Sequence, residues 1–174
     1  MLKPGNKVEV FGDFAALTLI PFLENHVTPN VTTRLDGVWE SYIRNSIKAG
    51  THDRRGQTAN KRTRVSAQVP MPKGKEYQKF LNDINNKDKL FQFLADELMD
   101  KMRPEGCNVV TTKREYVLST KELDVESISP SNHEEGDTKL LLHLKHAVLH
   151  GHEIAYMRTV DIMYLTNQYM NTMI

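Results

Sequence analysis

The chain predicts an α/β domain, a mainly parallel sheet flanked by helices. Three observations carry that expectation. Stretches with apolar residues at helical spacing alternate with short apolar runs of strand length, the order that builds parallel sheets through helical crossovers. At 174 residues and 39% apolar content the chain suits one domain with a substantial core. The segment HEEGDTKLLLHLKHAVLHGHEIAYMRTVD, His133 to Asp161, reads in order as acids, helix, glycine turn, strand and acid.

The elements follow in sequence. Phe14, Leu17, Ile20 and Leu23 recur at helical intervals, predicting a helix within Phe11 to His26 that starts at Gly12 or Asp13 and kinks at Pro21. Thr33 to Trp39 reads as a short strand, weakened by Asp36 and Gly37, with Glu40 at its end. Tyr42, Ile43 and Ile47 suggest a helical turn before Gly50, and the polar, basic, glycine-punctuated stretch of about residues 50–66 reads as a loop or arm. Val69 to Pro72 breaks any helix. Amphipathic segments follow at Glu76 to Ile84 and Lys87 to Met102, the second capped by Asn85 or Asn86 and ended by Pro104 and Gly106. NVVTT (Asn108 to Thr112) and EYVLS (Glu115 to Ser119) read as short strands. Ser131 or Asn132 caps a helix reaching about His150, Gly151 turns the chain, and Ile154 to Val160 forms another strand.

Net charge is +1, so the whole-chain balance points to no partner, yet the charge is unevenly spread. Arg44 to Arg64 holds seven basic residues against one acid, and Glu122 to Asp137 holds six acids and no Lys or Arg. A basic arm suits a phosphate backbone and an acidic cluster suits cations. Both have plainer readings: Lys/Arg loops are often solvated surface, and acids in a first helical turn also cap it and meet the helix dipole. Trp39 reads as core, with base stacking as the alternative. His143, His146, His150 and His152 match no zinc spacing and are expected at the solvated or sheet-edge boundary of a leucine-rich helix. The single Cys107 excludes an internal disulfide, reads as a buried inert thiol, and suits a reducing compartment. MLKPGNKVEV lacks the apolar core of a secretory signal, and the run Phe14 to Leu23 is too short to span a bilayer, so the expected location is intracellular, in nucleus or cytoplasm. No P-loop, GxGxxG turn or nucleophile motif is present.

Acids at helix starts and strand ends can converge in the crevice at the carboxyl ends of an open α/β sheet. Clustered carboxylates there suit Mg²⁺ or Mn²⁺, and two such ions roughly 3.5 to 4 Å apart clamp the attacking and leaving oxygens of a phosphodiester. Metal-dependent nuclease chemistry is the leading expectation.

Two stretches together resemble the PIN-like domains of the flap endonuclease type. VWESYIRNSIKAGTHDRRG stands where that superfamily has a strand-end aspartate, an LK-containing segment and a basic helix or arch, with Glu40 in the acid's place. Further on, Glu135 and Asp137 match a pair of acids at a helix start, Gly151 the turn, and Asp161 the first acid of a DxD-like pair. The chain is similar still more closely to a group of animal proteins carrying VWDxYxxxSLKxxTRxxRG and HEEADTRLLLHAxHAxxxG. The likeness spans residues 1–163 as a single domain and leaves 164–174 as a tail outside it.

The resemblance implies a Rossmann-like, three-layer fold. It implies Mg²⁺ or Mn²⁺ held by Glu40, Glu134, Glu135, Asp137 and Asp161, with catalysis centred on Glu135, Asp137 and Asp161. Lys48, Arg54, Arg55, Lys61, Arg62 and Arg64 would hold the backbone of DNA or RNA; no membrane and no small-molecule cofactor is implied. Three departures stand out. Glu40 replaces Asp, Gly136 replaces Ala, and Met163 stands where the second acid of the DxD pair belongs, although a thioether is a poor ligand for Mg²⁺. The family's earlier strand with its DG-type acid has no counterpart before the LKPG segment that starts at Leu2, so the chain looks truncated at both ends. Three readings follow: an active nuclease, an inactive remnant that keeps the fold with weak nucleic-acid or protein binding, and an unstable fragment with an exposed sheet edge.

Overall fold

Helix α1 begins where the Asp13 carboxylate accepts the backbone N–H groups of Glu9 (2.9 Å) and Val10 (3.1 Å), donors that the first turn leaves unpaired. It runs as Phe11–Phe14, widens into a π-helical stretch at Ala15–Leu19 and closes as Ile20–Glu24. The kink expected at Pro21 is therefore a change of winding. Pro21 offers no N–H and its ring crowds the carbonyl four residues back; just before it, the Ile20 N–H reaches back five residues to Ala15. The structure is a computed structural model and describes residues 2–41, 63–133, 136–158 and 162–166, with Arg158 and the last strand as backbone.

Helices α2 (Gly74–Asn82) and α3 (Ile84–Lys101) occupy the two predicted amphipathic segments. Their junction corrects the expected cap. Asp83 ends α2 in an extended conformation and caps α3 by accepting the Asn86 N–H at 3.0 Å. Asn86 is buried instead, its Oδ1 accepting the Thr63 N–H at 3.0 Å. Phe11 and Phe14 of α1, Tyr77 and Phe80 of α2, and Leu90, Leu94 and Leu98 of α3 form the main apolar core with Val109. Tyr77 lies within it, donating its hydroxyl to the Leu2 carbonyl at 2.9 Å, and burial pushes its pKa up to about 12.

Strand β1 (Arg34–Gly37) pairs parallel with β2 (Asn108–Lys113), which pairs antiparallel with β3 (Tyr116–Ser119). After helix α4 (Gly136–Leu149), β4 (Ile154–Arg158) and β5 (Ile162–Thr166) form a separate antiparallel ladder. The chain is α/β, as expected, but the sheet is mixed where a mainly parallel one was predicted. The reason is connection length: a parallel crossover needs a dozen or more residues, whereas Arg114 and Glu115 alone join β2 to β3, with Arg114 in the left-handed region at φ 57°.

Alternation along β1 places the layers. Leu35 packs on the main core, and a Cβ at Gly37 would lie 3.4 Å from Leu98 Cδ1 and 3.3 Å from Thr111 Oγ1, so the missing side chain admits α3 closely. Arg34 and Asp36 point the other way, to His146 and His143 of α4. The main core, to which α1 to α3 contribute, thus lies on one face of β1 and α4 on the other. A small second cluster, Leu144 and Met157 with Leu140, Val148 and Ala155, joins α4 to β4. Among the described residues no helix is long and apolar enough to cross a membrane.

Candidate functional site

Glu40 lies three residues beyond β1, and its position is fixed by neighbours on either side. Trp39 donates its backbone N–H to Thr112 Oγ1 (2.8 Å) and its indole N–H to Thr111 Oγ1 (3.0 Å), while its ring stacks on Phe91 with centroids 5.2 Å apart. Trp39 is thereby packed against the main core, the plainer of its two readings. Ser41, buried, donates its hydroxyl to the His133 carbonyl at 3.2 Å across a separation of 92 residues. That bond seats the strand exit against the entry to α4. A Cβ built on Gly136 would lie 3.6 Å from Glu40 Cγ, so Glu40 adjoins the start of the helix that carries Asp137.

Asp137 and Arg64 are exposed. Glu134, Glu135, Asp161, Lys48, Arg54, Arg55, Lys61 and Arg62 lie outside the described residues, as do the predicted turn at Tyr42 to Ile47, most of the basic arm and the side chain of Met163. Among the described residues no group of three or more His, Cys, Asp or Glu is placed to hold a metal ion.

Two lysines shape the electrostatics. Lys87, from the first turns of α3, donates to Glu40 Oε2 at 2.9 Å. Lys139 of α4 is 1% exposed and donates to Ser41 Oγ (3.0 Å) and to the Arg114 carbonyl (2.7 Å), and burial pushes its pKa down to about 8, with Glu115 opposing. It ties the strand exit, the β2–β3 turn and α4 together through one ammonium. The contact at Gly136 also sets an expectation. Because 3.6 Å is ordinary van der Waals contact, Gly136→Ala should raise stability by up to about 1 kcal/mol in a urea titration, the helix-propensity difference, without displacing Glu40.

Behind this junction lies a polar layer that the sequence reading missed. Asp36 receives Arg34 Nε at 2.6 Å, Arg34 Nη2 at 2.7 Å and His143 Nδ1 at 2.7 Å. Burial pushes its carboxyl up, but the hydrogen bonds from His143 and Arg34 outweigh burial and hold it below the usual carboxylate range. Arg34 Nη1 also meets His146 Nδ1 at 2.8 Å. His143 and His146 are 3% and 2% exposed, which corrects their placement at a solvated boundary. A signal existed: Lys139, His143 and His146 stand at i, i+4 and i+7 on one helix face, and Arg34 and Asp36 at i and i+2 on one strand face. Cys107 is buried as expected, and burial raises its thiol pKa.

No family model matches the chain, and no curated protein or solved structure matches it either. Fold and site define a class only, an α/β chain whose strand-exit acid meets the start of an acid-bearing helix.

Proposed function

We propose that the chain is a diverged PIN-like, flap-endonuclease-like nuclease domain acting on the phosphodiesters of DNA or RNA. The observation that carries this reading is the contact between Glu40 and Gly136, which seats an acid from the β1 exit at the start of α4, beside Asp137. Glu40, Glu134, Glu135, Asp137 and Asp161 would hold Mg²⁺ or Mn²⁺, and their all-oxygen chemistry fits a hard cation. Such a cation, when bound, supplies Lewis-acid stabilisation of charge on the phosphodiester oxygens. Lys139 and Ser41 keep Glu40 against α4, and Lys48, Arg54, Arg55, Lys61, Arg62 and Arg64 would hold the nucleic-acid backbone.

One observation favours a second reading, an inactive remnant. Lys87 donates to Glu40 Oε2 at 2.9 Å, so a cation at that carboxylate meets a positive charge already paired with it, and Met163 stands where a further acid belongs. The test is Mn²⁺-dependent cleavage of labelled single-stranded and flap DNA and RNA, with Mn²⁺ affinity measured in parallel by calorimetry. The expected result is Mn²⁺ binding and cleavage that an Asp137→Ala, Asp161→Ala double variant loses together. Binding without cleavage by the folded chain establishes the remnant. Absence of both, or cleavage untouched by the double variant, removes this site from consideration.

A further inference from the structure

We propose that α4 is latched onto β1 by an acid-sensitive histidine contact, which holds only while His146 is neutral and whose loss on acidification loosens α4 from the sheet. The geometry fixes the tautomer. The guanidinium of Arg34 can only donate, so His146 Nδ1, 2.8 Å from Arg34 Nη1, must present its lone pair. The Asp124 carbonyl can only accept, so Nε2, 2.6 Å away, carries the hydrogen. A second proton has one place to go, Nδ1, where it faces the guanidinium of Arg34.

The described surroundings offset that charge only in part. On β1, the Arg34 guanidinium faces the ring and Asp36 is already engaged by Arg34 and His143. On α4 itself, His143 is turned to Asp36 and His150 stacks on His146 with centroids 4.0 Å apart, placing another titratable ring against it. In the turn after α4, His152 bonds Thr33 through Nδ1 at 3.1 Å. The loop before α4 contributes the Asp124 carbonyl.

Releasing the contact matters because, among the described residues, α4 is held to the sheet mainly by polar contacts, the others being His143 with Asp36 and Lys139 with Ser41 and the Arg114 carbonyl. The main core includes no residue of α4; the buried residues of the helix are Lys139, His143, Leu144 and His146, three of them polar. Its apolar cluster reaches β4, which does not pair with β1. The direction of the effect follows. Burial first, then Arg34 and His150, lower the His146 pKa below its ordinary 6.5, with the Asp124 carbonyl and, last, Asp36 opposing. The unfolded chain therefore takes up the proton first, so stability is full above about pH 6.5 and is lost as pH falls through the folded value. His152, also lowered by burial, adds in the same direction, whereas the Asp36 window lies below pH 3.8.

The experiment compares thermal unfolding from pH 8 to pH 5 for the wild-type chain, His146→Gln and His146→Asn, whose amides place a nitrogen near Nε2 or an oxygen near Nδ1 without titrating. The expected result is a wild-type midpoint that falls with pH at least twice as steeply as either variant's. Equal slopes overturn the proposal. A second measurement on the wild-type chain alone decides the matter should both variants fail to fold: the His146 ring resonance should titrate below 6.5, and α4 amides, corrected for intrinsic exchange, should lose protection at pH 5.5 while those of α3 keep it. Titration at or above 6.5, or α3 and α4 losing protection together, overturns it.

Discussion

Asp36→Ala is expected to destabilise the chain by about 3–5 kcal/mol, the range for removing one partner of a buried ion pair. The Arg34 side chain is 5% exposed and that of Asp36 17%, and the carboxylate takes two bonds from Arg34 and one from His143. Truncation leaves a guanidinium buried without this anion and the His143 Nδ1–H without its acceptor, beside an Nε2 that already has no hydrogen-bond partner among the described residues. Asp36→Asn keeps the shape and one acceptor but loses the charge, so its loss should fall between wild type and Ala. Urea unfolding at pH 7 measures both, as a drop in midpoint at constant slope. The pH dependence gives a second check. The Asp36 carboxyl is held below its ordinary 3.8, so its contribution is present above that pH and fades as pH falls below it. In Asp36→Ala that acid limb should vanish. An Asp36→Leu, Arg34→Met double variant removes both charges and should be less damaged than Asp36→Ala alone; equal damage would mean that the pair is not what the truncation breaks.

The helices were legible because period carries them. Leu90, Leu94 and Leu98 recur on one face, and that face enters the core. The hairpin is half legible: Asn108 to Thr112 and Glu115 to Ser119 carry strand signals, and the short gap between them, which forbids a parallel crossover, is what makes the sheet mixed. Asn85 and Asn86 are good cap residues closer to the apolar run than Asp83, and only the structure shows Asn86 turned inward to Thr63 and Asp83 as the cap. The polar layer was illegible for a physical reason. Arg, Asp, Lys and His are seldom fully buried, so Arg34, Asp36, Lys139, His143 and His146 read individually as surface, and only their complementarity across β1 and α4 makes burial affordable. As for the candidate site, nothing in local spacing joins Glu40 to Gly136. The order of motifs suggested that neighbourhood, and the Ser41 bond to His133 provides its mechanical cause.

Phe11→Ala should cost about 3–5 kcal/mol, and for a different reason. Phe11 is fully buried, with ring centroids 5.5 Å from Phe80 of α2 and 6.3 Å from Phe93 of α3, so one side chain joins three helices. Its backbone cannot follow the lost ring inward, because its N–H is bound to the Val69 carbonyl at 3.0 Å and the neighbouring Gly12 N–H to the Ala67 carbonyl at 2.9 Å. A pinned backbone leaves a cavity that collapses poorly, which places the cost toward the upper end of the range. At roughly 2–4 °C per kcal/mol for a chain of this size, the midpoint should fall by about 10 °C. Among the described contacts of Phe11 none is with a histidine, so this loss should be the same at pH 5.5 and pH 8, in contrast to changes at His146. The two faces of β1 then make a joint prediction. With no shared partner among the described contacts, Phe11→Ala and His146→Gln should add to within about 0.5 kcal/mol at pH 8. A larger coupling would mean that the apolar and polar faces of the sheet fail as one unit, and that the separation between a hydrophobic core and a charged latch does not describe how this chain holds together.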